Sequence, residues 1–152
     1  MAEWERKTEQ VAPEGLPPEM GSAIQRHIEQ YNLGPVLAET LMCVLTESEK
    51  PKKGLFGKAE AVRTAVIVTP HWLLWCVDQP KAFVLSAQLV HVTVQDYAQT
   101  PFARMVPDSG IEVSGMFTDT SESASAFVGL EAGEAGNRFK ETVIQAARDA
   151  KK

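Results

Sequence analysis

The chain has 152 residues, 44% of them hydrophobic, and its 15 Lys and Arg residues against 20 Asp and Glu residues leave a net charge of −5. This length supports one domain with a substantial core, and a charged fraction of 23% with 7% aromatic residues excludes wholesale disorder. The negative net charge argues against a dedicated nucleic-acid binder, so we expect no nucleic-acid partner.

The first 18 residues are polar, carry charges of both signs and end in a proline-rich stretch. This composition predicts a flexible N-terminal tail over residues 1–18, or one lone turn within it, ahead of a single domain over residues 19–152. Mixed charges at the start, with no apolar run after them, are unlike a secretory signal. We therefore expect a cytoplasmic protein.

A helix is predicted directly after this tail. Pro18 suits the first turn of a helix, where its missing N–H costs nothing. Four apolar residues from Met20 to Tyr31 then recur at steps of four, four and three, which places them on one stripe. The spacing predicts an amphipathic helix over Glu19–Asn32 that stops before a Gly-Pro pair.

Seven short strands are predicted in the middle of the chain, because runs rich in β-branched and apolar residues alternate with turn signals. The runs are Thr40–Glu47, Ala61–Thr69, Trp72–Asp78, Ala82–Ser86, Leu89–Tyr97, Ile111–Thr118 and Ala126–Leu130. The first run is apolar on both faces, so we expect the N-terminal helix, from the same chain or from a neighbouring copy, to cover its residues Met42 and Val44. In the fifth run, Val90, Val92 and Val94 alternate with polar residues and predict a half-buried strand.

The chain ends in a predicted helix over Glu134–Ala150, with Phe139 and Val143 on its apolar side. Seven antiparallel strands leave unpaired edges unless the sheet curls and closes. A single amphipathic helix can plug one open end of such a barrel. The pattern therefore predicts a mainly β fold: a seven-stranded antiparallel bent sheet or barrel, capped by the C-terminal helix, with an added N-terminal helix.

The segment from Arg63 to Leu74, RTAVIVTPHWLL, looks like the strand–turn–strand unit of bacterial PH-like and GRAM-type domains. With the order of elements, it makes the region from about Leu37 to Lys151 resemble the pleckstrin-homology-like (PH-like) superfold, in which seven strands in two bent sheets precede one helix. Phe139 stands where many eukaryotic PH domains have a tryptophan, and the first helix is an addition. A helix-grip α+β fold that encloses a small apolar ligand is the alternative architecture.

Motifs that would indicate an enzyme are scarce. The histidines His27, His71 and His91 have no metal-ligand spacing, and the sequence has neither a G-x-S-x-G elbow nor a P-loop. Cys43 and Cys76 lie in apolar runs, which predicts reduced, buried thiols, and a disulfide between neighbouring strands is the alternative. We therefore expect a non-enzymatic protein with no catalytic residues, no metal and no cofactor.

The loop between the first two strands carries the most distinctive charge pattern. Its lysines are Lys50, Lys52, Lys53 and Lys58, with no acidic residue among them. Between two glycines lie Leu55 and Phe56, an apolar tip that can enter a membrane interface while lysines are drawn to anionic headgroups. The PH-like resemblance implies headgroup binding at this loop, with Arg63 on the next strand as a further contact. The alternative is that the lysines keep the hairpin tip soluble.

The resemblance also implies a second class of function, because PH-like folds leave a groove between the helix and an open sheet corner. An extended segment can add to an exposed strand edge there. We therefore expect a binding or assembly module whose partner is another protein, a second copy of the chain, or an anionic phospholipid surface. The helix-grip alternative would instead hold a small apolar ligand.

Overall fold

The computed structural model describes residues 4–51, 57, 59–120 and 122–152. Within these ranges, eight strands form two antiparallel sheets, and two helices accompany them. The strands are β1 Glu5–Gln10, β2 Met42–Lys50, β3 Glu60–Val68, β4 Trp72–Val77, β5 Phe83–Gln88, β6 Val92–Asp96, β7 Gly110–Met116 and β8 Ser123–Gly129, and the helices are α1 Pro18–Tyr31 and α2 Glu134–Ala150. One sheet has the order β1-β2-β3-β4-β5 and the other the order β6-β7-β8.

The predicted mainly β class with two helices is confirmed. The seven predicted strands correspond to β2–β8, and the C-terminal helix has the predicted bounds. The sheets do not close into a barrel, because no strand pairing joins one sheet to the other in the described part of the chain. No helix in these ranges is long and apolar enough to cross a membrane.

The N-terminal segment contains a strand where the sequence predicts a tail without regular structure. β1 pairs with β2 along its whole length, from Glu5 opposite Glu49 to Gln10 opposite Val44. The prediction is wrong for these residues because β1 is polar and shows no apolar alternation. Besides the backbone pairing, polar side chains hold β1 in place: the Thr8 hydroxyl lies 2.8 Å from the hydroxyl of buried Thr46 on β2.

The five-stranded sheet packs against other elements on both of its faces. One face packs against α1, whose apolar stripe meets side chains of β2, β3 and β4: Cys43, Ala65, Ile67, Leu74 and Cys76. The opposite face packs against the three-stranded sheet and α2. Met42 and Val44 belong to that second core, so the prediction that α1 covers them is wrong. Side chains alternate along a strand, and the helix covers the intervening Cys43.

The segment before β6 departs from the predicted alternation. Leu89–His91 forms a short 3-10 helix, and the Leu89 N–H donates to the His71 carbonyl at 2.8 Å. Val92 and Val94 are buried as predicted, whereas the side chain of Val90 is 49% exposed. The prediction that Val90 shares their face is therefore wrong, because the 3-10 turn rotates it away from the core.

Candidate binding site

The predicted headgroup-binding loop connects β2 and β3. Most of its candidate residues lie outside the described ranges: Lys52, Lys53, Leu55, Phe56 and Lys58. Lys50 ends β2 and lies opposite Glu60 in the register with β3. The headgroup-binding role of this loop stays a prediction.

Arg63 on β3 is engaged by two carboxylates. Its Nε lies 2.7 Å from Asp78 Oδ2, and its Nη2 lies 2.6 Å from Glu19 Oε1 on α1. The hydrogen bond to Asp78 raises the pKa of Arg63 further above its ordinary value, so the guanidinium stays charged. The shallow cavity beside it is also lined by Glu47 and Glu49. An anionic headgroup at Arg63 would have to compete with these acids, and the predicted contact remains untested.

A hydrogen-bonded chain of side chains lies beneath α1. His27 Nε2 is 2.7 Å from Ser86 Oγ on β5, and Ser86 Oγ is 2.6 Å from Thr118 Oγ1. Burial lowers the pKa of His27, while the negative charge of Asp119 acts in the opposite direction. A histidine–serine hydrogen bond is an arrangement that can activate a nucleophile. Ser86 is fully buried, however, so a substrate cannot reach its hydroxyl in this conformation.

A groove of about 450 Å³ lies between the end of β6 and one face of α2. Asp96, the last residue of β6, and Gln99 just beyond it line one wall. The α2 wall includes Lys140, Glu141, Ile144 and Arg148, whose spacing places them on one helix face. Lys140 Nζ lies 3.5 Å from Asp96 Oδ2 and links the two walls. This α2 groove offers charges of both signs and one aliphatic side chain.

The strand beside the α2 groove is an edge of the three-stranded sheet. β6 pairs with β7 on one side only, while Thr93 and Gln95 are exposed and Val92 and Val94 face the core. An edge strand presents backbone N–H and C=O groups that an added strand can pair with. The α2 groove meets this edge strand at Asp96, the last residue of β6.

Sequence reasoning did not single out the residues of the α2 groove. Lys140, Glu141 and Arg148 read as the water-facing side of an amphipathic helix, which is also what a solvated helix shows. The PH-like resemblance predicts a groove beside the helix but does not specify which residues line it.

A second and more apolar groove lies at the opposite end of β6. It consists of two adjoining cavities of about 450 and 550 Å³ that share Leu33, Trp72 and Gln88 in their walls. Glu39 and Val90 line the first cavity, and Met116 lines the second. We call this surface the Trp72 groove. Trp72 pairs with Gln88 at one end of the β4–β5 register, and the groove lies at that end of the five-stranded sheet. The β2–β3 loop lies at the opposite end.

Comparisons of the chain with family models, with curated proteins and with solved structures give no match. Within the described ranges, no group of three or more His, Cys, Asp or Glu residues is arranged to hold a metal ion. What the protein binds has to be inferred from the geometry of its own residues.

Proposed function

We propose that the protein is a non-enzymatic, PH-like binding module that takes an extended polypeptide segment along β6. The order of elements supports the PH-like part of this proposal: β2–β5 lie in one sheet, β6–β8 lie in the other, and α2 follows. β1 and α1 are additions to that plan.

The observation that carries the proposal is the position of β6, an edge strand with α2 packed beside it. An incoming segment in extended conformation would pair its backbone with β6, and its alternate side chains would contact the α2 wall. Backbone pairing supplies affinity that depends little on sequence, and the wall supplies specificity.

The α2 wall indicates the chemistry of the segment. Ile144 offers a small apolar contact, flanked by the cations Lys140 and Arg148 and by the carboxylate of Glu141. We therefore expect a segment with one aliphatic or small aromatic residue between charged residues of both signs. A wholly apolar segment would leave Glu141 and Arg148 without partners, whereas Lys140 is already paired with Asp96.

Selection of a displayed peptide library on the whole protein tests the proposal. Arg148→Glu should weaken binding of the selected peptides about tenfold. Arg138→Glu is the matched control, because Arg138 lies on the same helix but pairs with Glu134 and Gln10 outside the groove. Bound peptide should also slow amide hydrogen exchange in β6. Peptides that bind Arg148→Glu as tightly as the wild type, or that protect a different strand, would refute the proposal.

The alternative of a small apolar ligand held between sheet and helix has less support. Trp75 and Phe117 meet edge to face in that space, with ring centroids 5.4 Å apart, and Phe139 of α2 is fully buried beside them. These side chains occupy the volume that such a ligand would need.

A further inference from the structure

The segment after β6 presents three large apolar side chains to solvent. It includes the short 3-10 helix Pro101–Arg104 and continues to Val106. Phe102 is 61% exposed, Met105 83% and Val106 62%. We call residues 101–106 the apolar knob. Clustered exposed apolar side chains of this size mark contact surfaces more often than scattered single ones do.

The apolar knob is held in place by hydrogen bonds at its base. The Tyr97 hydroxyl donates to the Val106 carbonyl at 2.7 Å, and the Thr100 hydroxyl donates to the Tyr97 carbonyl at 2.8 Å. The Val106 N–H donates to the Phe102 carbonyl at 2.9 Å. The ring of Tyr97 also packs against Phe127, with centroids 4.8 Å apart. These contacts fix the backbone of the knob, so little backbone ordering entropy remains to be lost on binding.

The knob and the Trp72 groove lie at opposite ends of β6. Val90, in the groove wall, precedes the first residue of β6, whereas the knob follows the last. Five residues of extended strand separate the two ends by roughly 17 Å. A molecule therefore cannot insert its knob into its own groove, but it can present both surfaces to other copies.

The two surfaces are complementary in polarity and charge. The groove is lined largely by apolar and aromatic side chains and has the exposed carboxylate of Glu39 in its wall. The knob is apolar and carries the exposed guanidinium of Arg104. Neither charge forms an ion pair with another residue of the described ranges. Methionine is an unbranched, adaptable side chain, so Met105 can fit an irregular apolar groove.

We propose that the apolar knob of one copy binds the Trp72 groove of a second copy, so that the protein assembles head to tail. Phe102 and Met105 enter the groove, and Arg104 pairs with Glu39 of the neighbouring copy. Such a contact uses different surfaces on the two molecules, so it continues into a ring or an open chain rather than stopping at a symmetric dimer. This inference does not depend on peptide binding at the α2 groove.

Sedimentation velocity of the full chain, from about 1 μM to about 1 mM, tests the assembly. The wild-type protein should grow in mass with concentration. Met105→Asp on the knob and Val90→Lys in the groove should each weaken association about tenfold or more, because each places a charge in an apolar contact. Phe83→Asp is the matched control: it changes an exposed apolar residue at the other end of the sheet and should leave assembly unchanged. Urea unfolding of each variant checks that the fold is intact.

Mixing the two variants distinguishes this interface from any other. Val90→Lys keeps an intact knob and Met105→Asp keeps an intact groove, so an equimolar mixture should form a heterodimer that grows no further. A wild-type protein that stays monomeric over the whole concentration range would overturn the proposal. This holds even if the protein co-sedimented with lipid vesicles and Met105→Asp abolished that binding, because the knob would then bind lipid and not a second copy. Failure of the mixture to form a complex would also overturn it, as would an equal effect of Phe83→Asp.

Discussion

Arg6 and Asp108, which are 102 residues apart in sequence, form a two-pronged ion pair that ties β1 to the segment before β7. Arg6 Nε lies 2.9 Å from Oδ1 and Nη2 2.7 Å from Oδ2, with the two side chains only 10% and 12% exposed. Arg6 Nη1 also donates to Ser48 Oγ at 2.6 Å. The rings of Trp4 and Phe127 each lie 5.4 Å from its guanidinium carbon. Arg6 therefore holds β1, the edge strand of the five-stranded sheet, against the three-stranded sheet.

Asp108→Asn should destabilise the protein by about 3 kcal/mol, because it leaves a largely buried guanidinium without its counter-charge. The free energy of unfolding in urea measures this loss. The matched control is Glu134→Gln, which breaks the exposed pair between Glu134 and Arg138 and should cost about 0.5 kcal/mol or less. Equal losses in the two variants would show that the Arg6–Asp108 pair does not fasten β1.

His27 should make the stability of the protein depend on pH. Burial lowers the pKa of His27 in the folded state below its ordinary value of 6.5, so the unfolded chain binds a proton more readily. The part of the free energy of unfolding that depends on neutral His27 is therefore fully present above pH 6.5. It is lost as the pH drops from there toward the folded-state pKa. One proton gives a slope of at most about 1.4 kcal/mol per pH unit.

Urea unfolding over this pH range should show a smaller slope for His27→Gln than for the wild type. A slope unchanged in His27→Gln would assign the pH dependence to other groups.

Cys43 and Cys76 should not react with a thiol reagent in the folded protein. Both are buried and free, and burial raises the pKa of Cys43 to about 12 and that of Cys76 to about 11. Because the thiolate is the reactive form, almost none is present at pH 8. A chromogenic disulfide reagent should titrate both thiols in denaturant and neither under native conditions. Ser123→Cys, at an exposed position, should add one fast-reacting thiol.

The lysines of the β2–β3 loop should bind anionic vesicles weakly. Each lysine near an anionic surface contributes about 1 kcal/mol, and added salt screens that attraction. The wild type should co-sediment with anionic vesicles at low salt, and a variant with Lys52, Lys53 and Lys58 changed to alanine should not. Arg63→Gln should leave vesicle binding unchanged, since Arg63 is paired with Asp78 and Glu19. Absence of wild-type binding at either salt concentration would exclude the membrane hypothesis.

The predicted elements that match the structure are those in which the local apolar periodicity indicates the buried face. The apolar stripe of α2, from Phe139 to Ala147, sets which face packs inward, and the predicted bounds of this helix agree with the structure. The two cysteines are buried and free, as their apolar surroundings predict. In these segments, the residues that decide the outcome lie within a few positions of one another.

β1 could not be predicted in this way. Its stability depends on partners more than a hundred positions away: Asp108 for Arg6, and Glu131 for Thr8. The Thr8 N–H donates to Glu131 Oε2 at 2.9 Å, and the Glu131 N–H donates to the Thr8 hydroxyl at 2.8 Å. These two hydrogen bonds give the Thr8 backbone N–H a partner and attach β1, a polar strand with no apolar pattern, to the segment around Glu131.

The sequence by itself determined the seven strands β2–β8, both helices and the burial of the cysteines, because period-two and period-3.6 patterns indicate which side of each element avoids water. Only the tertiary structure decided which surfaces meet. The α2 groove joins Asp96 to Arg148, and the Trp72 groove joins Leu33 to Met116. Local patterns identify buried faces but do not specify which distant segment packs against each one, and binding surfaces form where those segments meet.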